Sequence, residues 1–278
     1  MELKKALIRY ERHLRGQERA EATIQKYVHD IGRFIEACRQ KDSNALTRER
    51  VICWRRSMEE KRAPSTVNAA VAAVNGFLTW LGRPDCRVKL LRVQQPVYRE
   101  RRQELTRGEY FRLLRVAATR SERTACMLEA LCATGIRVSE LRFITVEALQ
   151  RSMATIRNKG KYRAIVLPTR LRTRLLAYCR QYGIVSGPVF VDKKGKALSR
   201  FTIWRRMKQL CQRMRIAPEK VFPHNLRHLF AVCFYRMQHD LEHLADILGH
   251  SSINTTRIYT RISGEEHLRQ MDALRLTR

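Results

Sequence analysis

Apolar side chains recur at steps of three and four along most of the chain. Leu3, Leu7, Tyr10 and Leu14 share one face of a first helix, and Ile24, Val28, Ile31, Phe34 and Ile35 share one face of a second. Val51, Ile52, Trp54 and Met58 predict a third, and Val67, Val71, Val74, Leu78 and Leu81 a fourth that opens after Pro64 and Ser65. Residues 1–82 therefore predict a four-helix domain. From Gly82 onward the period is lost, and GRPDCRVKLLRVQQPVYRERRQ, with its prolines and dense arginines, predicts an extended basic connection over 83–103.

Periodicity returns at Leu105. Thr106 with Glu109 three positions on predicts a capping box for a helix carrying Phe111, Leu114 and Val116, and helical patterns follow over 123–131 and 138–143. Residues 153–168, MATIRNKGKYRAIVLP, break that rhythm: two short β-prone runs flank Asn158-Lys159-Gly160-Lys161, which predicts a hairpin. Further helices are predicted near 169–182, 200–215, 225–238 and 240–248. In the tail, Leu268, Met271 and Leu274, with Leu276, form an apolar strip on a short helix over about 264–276. The fold class is mainly α with one small β-hairpin, in two domains, 1–82 and 104–278.

Composition narrows the class. With 278 residues, 44% hydrophobic, and only 12 Gly and 7 Pro, the chain can bury an ordinary core, which excludes disorder as its main state. Its 56 Lys and Arg against 26 Asp and Glu give a net charge of +30 and a pI near 10.8. Such a field repels itself unless a polyanion takes it up, so nucleic acid leads over a polybasic membrane-binding face. No apolar run approaches the length needed to cross a bilayer, and the charged N-terminus lacks a signal-peptide core, so an intracellular, cytoplasmic location on the nucleoid is expected. The eight cysteines are scattered without a C-x-x-C pair, and neither disulfides nor zinc are expected.

Four short pieces carry candidate chemistry: Ala133-Thr134-Gly135-Ile136-Arg137-Val138-Ser139-Glu140-Leu141, His224-Asn225-Leu226-Arg227-His228, Leu248-Gly249-His250-Ser251-Ser252, and Tyr259 nine residues past His250. Each alone is a weak signal. As a set, with a hairpin lysine between the first two, they resemble the tyrosine site-specific recombinase (phage integrase) family over almost the whole chain, and the short length looks most like its compact Xer-type members. Ala22-Thr23-Ile24-Gln25-Lys26-Tyr27 with Phe34-Ile35 is similar to the family's N-terminal pattern. The resemblance implies a two-domain DNA clamp, a SAM-like helical core-binding domain plus a catalytic domain with a C-terminal exchange helix.

It also implies the reaction: cutting and rejoining of DNA through a covalent 3′-phosphotyrosine, without cofactor, metal or nucleotide. The enzyme would act as a homotetramer on duplex DNA with inverted-repeat sites, passing through a Holliday junction, with room for a second recombinase or an accessory protein. Mobile-element integration or excision and chromosome-dimer resolution both suit it. A topoisomerase of type IB and a catalytically dead DNA-binding regulator are the alternatives.

The chemistry can be matched residue by residue. A phosphodiester under attack gains charge on its non-bridging oxygens, and the family pattern makes Arg137 and Arg227 the fixed donors there. Tyr259 is the implied nucleophile. A phenol of ordinary pKa, about 10, is protonated at neutral pH, so it needs a proton acceptor, and His224 matches the family's general base. His250 would hydrogen-bond a non-bridging oxygen. Lys159 matches the hairpin lysine that protonates the leaving 5′-oxygen, with Lys161 as rival because this turn is one residue short and has Asn158 where the family has Gly. Glu140 would orient Arg137, and His228 is structural or phosphate-facing.

Overall fold

The structure, a computed structural model, describes residues 2–38, 42–92, 104–158, 161–192, 194–211, 216–250, 252–259 and 264–274. They fall into two units, residues 1–95 and 96–278. The first holds four helices, α1 (Leu3–Gly16), α2 (Glu21–Cys38), α3 (Arg48–Glu59) and α4 (Pro64–Trp80). Most of the predicted stripe positions are in the core: Leu3, Tyr10 and Leu14, then Ile24, Ile31 and Phe34, close on Val51, Trp54 and on Val67, Val71, Val74 and Leu78, joined by Phe77, while Leu7, Val28, Ile52, Met58 and Leu81 are only partly buried at its edge. Pro64 sits at the first position of α4, where its missing N–H costs nothing.

Residues 84–91, which lack any period and so were expected in the connection, are held on this unit by side chains. Asn75 pairs with the backbone of Val88 through both amide atoms (2.8 and 3.1 Å), and Asn68 does the same with Leu91 (2.9 and 2.7 Å). Cys86 and Val88 are buried beneath them. Arg83 anchors the start by donating to the carbonyls of Ser43 and Leu46, each at 2.8 Å.

The second unit opens with α5 (Arg107–Arg120), whose capping box is formed in both directions by Thr106 and Glu109 (2.8 and 3.1 Å). α6 (Glu122–Thr134) runs through the core, burying Ala125, Cys126, Met127, Leu128, Ala130 and Leu131. The hairpin of β1 (Met153–Asn158) and β2 (Lys161–Val166) pairs Met153 with Val166 through to Asn158 with Lys161. Ala154, Ile156 and Ile165 face the core. α8 (Thr169–Gln181), α9 (Arg200–Cys211), α10 (Pro223–Gln238) and α11 (Leu241–Leu248) follow the predicted spans, and 212–215 lie outside the described residues. Two departures concern short pieces. Val138–Phe143 is 3₁₀ rather than α-helical, and α7 (Val146–Gln150) and α12 (Ile253–Thr256) are too short to leave a period. α13 (Gly264–Ala273) ends the described chain.

Among the described residues no helix is long and apolar enough to cross a membrane. All eight cysteines are free thiols.

Candidate active site

Two helix ends and one helix start converge in the second unit. α6 stops at Gly135, whose φ of +62° turns the chain left-handed; a Cβ there would also lie 2.3 Å from the Phe230 ring. Arg137 emerges two residues later. α11 stops in the same way at Gly249 (φ +63°) and delivers His250. α10 begins at Pro223, so His224 and Arg227, three apart, share the face of its first turn. Tyr259 closes a 3₁₀ turn after α12.

Arg227 is the hub. It is 2% exposed, donates from Nη1 to the Gly135 carbonyl (2.8 Å), and donates from Nη2 to the Leu248 carbonyl (2.7 Å) and to His250 Nε2 (2.9 Å). The Tyr259 hydroxyl is close enough to interact with its charge. Burial, then the nearby Arg137, lower the pKa of Arg227 to about 10, so it keeps its charge at neutral pH.

His250 completes the chain of bonds. A guanidinium can only donate, so Nε2 accepts and the ring proton sits on Nδ1, from which it reaches Thr256 Oγ1 at 2.8 Å. Burial, followed by the charges of Arg227, Arg137 and Arg163, lowers its pKa to about 4. The Tyr259 ring lies nearly parallel to His250, centroids 6.1 Å apart, with His228 against it at 5.0 Å. Tyr259 itself is 3% exposed.

Arg137 is held from the other side by Glu140, which is 2% exposed. Glu140 Oε1 takes Arg137 Nη1 (3.0 Å), and Oε2 takes the Arg137 N–H (2.8 Å). The Gly249 carbonyl accepts from Arg137 Nη2 at 3.3 Å. With its side chain 38% exposed, Arg137 still faces a cleft of 690 Å³ that it lines with His224, Arg227, Lys208, Phe201 and Trp204. Phe201 and Trp204 stack on exposed faces of α9, with Arg205 and Lys208 over their rings.

Arg137, His224, Arg227, His250 and Tyr259 are thus brought to one place, together with Glu140 and His228. Lys159 lies outside the described residues. Two side chains that sequence reasoning passed over belong here, Arg163 on β2, whose Nη2 donates to Glu140 Oε2 at 2.6 Å, and Trp204, along with Thr256, to which sequence reasoning gave no role. Arg163 had one legible signal. It alternates with Ile165 and so shares the core-facing side of its strand. Three guanidiniums and one carboxylate leave the site strongly positive. Among the described residues, no three His, Cys, Asp or Glu side chains gather as metal ligands would.

The model of the phage integrase family matches residues 103–266, and that of the phage integrase N-terminal SAM-like domain matches residues 7–84. The chain belongs to the phage integrase family of tyrosine recombinases. Its likeness to individual relatives runs over nearly the full length. It is 32% identical to the tyrosine recombinase XerC of Roseiflexus castenholzii, covering 91% of this chain and 88% of that one. It is 31% identical to the tyrosine recombinase XerD of Halalkalibacterium halodurans, covering 87% of each. Among solved structures, the XerA recombinase superposes with a TM-score of 0.53 at 25% identity over 99% of both chains. A lambda integrase tetramer bound to a Holliday junction gives 0.75 at 17% identity over 93% of this chain and 77% of that one, a likeness of fold. As a tyrosine recombinase, this chain is an enzyme of DNA strand breakage and rejoining, with a mainly helical fold in which a SAM-like domain precedes the catalytic one.

Proposed function

We propose that this recombinase is site-specific, attacks DNA with Tyr259, and exchanges strands as a tetramer through a Holliday junction. The observation that carries this reading is the convergence of three guanidiniums beside a phenol, with one carboxylate, Glu140, pairing Arg137 and Arg163 and none pairing Arg227 among the described contacts. That excess positive charge lies in a cleft lined by basic and aromatic side chains, which suits a phosphodiester. Tyr259 Oη forms a bond to phosphorus as the bond from phosphorus to the 5′-oxygen breaks. The phenolic proton passes to His224, the leaving oxygen takes one from Lys159, and the ester's energy is kept in the phosphotyrosine bond until another strand's 5′-hydroxyl reverses the step.

The described arrangement is a resting one. Tyr259 is buried, and the donors of Arg227 that a phosphate oxygen would take are engaged by the Gly135 and Leu248 carbonyls and by His250. Incoming phosphate would compete for the Arg227 Nη2 donor that His250 Nε2 now accepts from, and a shift of the ring proton from Nδ1 to Nε2 would let His250 donate to it in turn. The lambda integrase tetramer on a Holliday junction supports the assembly. Net charge of +30 supports tight, salt-sensitive binding of duplex DNA.

Sequencing the DNA that stays covalently attached to the chain in cells tests the reading. Attached fragments should share one inverted-repeat sequence. Attachment scattered over unrelated sequences would favour a topoisomerase, and no attachment a binding protein.

A further inference from the structure

Arg163 stands on the core-facing side of β2, and its side chain is only 16% exposed. An arginine in such a place forfeits hydration and needs good acceptors in return. It has two of different kinds. Nη2 donates to Glu140 Oε2 at 2.6 Å, on the carboxylate that also holds Arg137. Nη1 donates to the Ile247 carbonyl at 3.0 Å, in the last turn of α11 and three residues ahead of His250. The turn between them is shaped around this guanidinium: a Cβ on Gly249 would lie 2.3 Å from Arg163 Nη1 and 2.7 Å from its Cδ.

We infer that Arg163 is a positioning residue for the phosphate clamp, fixing Arg137 through Glu140 and the His250 turn through Ile247 and Gly249. The inference rests on the proposed roles of Arg137 and His250 at the scissile phosphate. Two physical effects support it. A carboxylate bonded on both oxygens cannot rotate, so the Arg137 guanidinium has one orientation. A carboxylate shared with a second cation also neutralises Arg137 less, which leaves more of that charge to a phosphate. Because Arg163 stands on the hairpin, the same bonds tie the hairpin to the clamp.

The test uses the full chain and a duplex carrying the site recovered from wild-type adducts in cells. A wild-type chain that leaves no DNA attached would remove the reading of the site, a result separate from those below. Single-turnover cleavage is compared on the ordinary phosphodiester and on a methylphosphonate, whose scissile centre has no anionic oxygen for a clamp to hold. Arg163→Ala should bind the site within about threefold of wild type and cleave the phosphodiester at least about 100-fold more slowly. On the methylphosphonate that deficit should shrink to under about tenfold. In an Arg137→Ala background, adding Arg163→Ala should cost less than about fivefold more, since both changes disable one device. Arg163→Lys keeps the stem and the charge but cannot reach two acceptors in one plane, so it guards against a variant that fails to fold. It should melt within a few degrees of wild type and cleave the phosphodiester at least about tenfold more slowly. Equal deficits on both substrates, multiplicative losses in the double variant, or wild-type cleavage by Arg163→Lys would overturn the proposal.

Discussion

Arg227 Nη2 and His250 Nε2 stand 2.9 Å apart, and since the arginine can only donate, the imidazole between it and Thr256 is neutral with its proton on Nδ1. Its pKa of about 4 follows from burial and three neighbouring guanidiniums. In the unfolded chain the same group titrates near 6.5, so between these values the unfolded state binds more protons than the folded one. Stability should therefore fall as pH drops from about 6.5 towards 4, and the loss should be complete below that. The ring is only partly buried and solvent screens it, so its share is about 1–2 kcal/mol. Urea unfolding at a series of pH values should show a shallower acid loss for His250→Gln than for wild type; equal slopes would mean that this ring is not held neutral by folding.

Tyr259→Phe keeps the ring against His228 and His250 and removes only the phenolic oxygen. Site binding should survive, with unfolding free energy changed by about 1 kcal/mol. Covalent adduct should fall by more than about 10³-fold, because the variant lacks the attacking oxygen. Adduct recovered from the variant, mapped by mass spectrometry, would place the attacking group elsewhere.

The hairpin offers two lysines, and leaving-group chemistry separates them. Lys159→Ala should slow cleavage by about 10²–10³-fold on an ordinary substrate. A substrate with sulfur in place of the bridging 5′-oxygen leaves without needing a proton, and it should restore the variant to near the wild-type rate. Lys161→Ala should show neither the loss nor the rescue. If the rescue follows Lys161, the acid is two residues further on than the motif match puts it.

What the sequence made legible follows from how each feature is encoded. Long amphipathic helices such as α2 and α4 repeat their signal over several turns, and the Thr106 capping box announces α5 by side-chain type alone. Arg137, Arg227, His224, His250 and Tyr259 could be found because they sit in short recognisable strings. The contacts that arrange them could not. Arg163 reaches Glu140 and Ile247 across 23 and 84 residues of sequence, and Asn68 and Asn75 hold residues 84–91 by amide pairs that have no period. α7 spans five residues, little more than one turn, so no stripe can develop.

The tail gives the last prediction. Leu268 and Met271 on α13 and Leu274 just past its end are spaced by three and lie more than half exposed, an apolar strip on an otherwise strongly charged chain. Burying one such side chain is worth about 1.5–3 kcal/mol, so the strip has a substantial drive toward a groove. In the proposed tetramer a neighbouring protomer on the same DNA would supply one at high local concentration, and passing the helix head to tail around a ring would link each active site to the next. The segment lies just beyond Tyr259, so its docking would set when that buried tyrosine is released, and only alternate protomers need be released together. Ending the chain after Ser263 should leave the affinity for a single half-site within about threefold, while cooperative filling of the second half-site falls by at least about tenfold and recombination is lost. Leu268→Asp with Met271→Asp, which keeps the helix but spoils its apolar face, should reproduce the truncation in gel-shift and strand-exchange assays. Full cooperativity in both variants would show that the tail folds back on its own domain and does not couple the protomers.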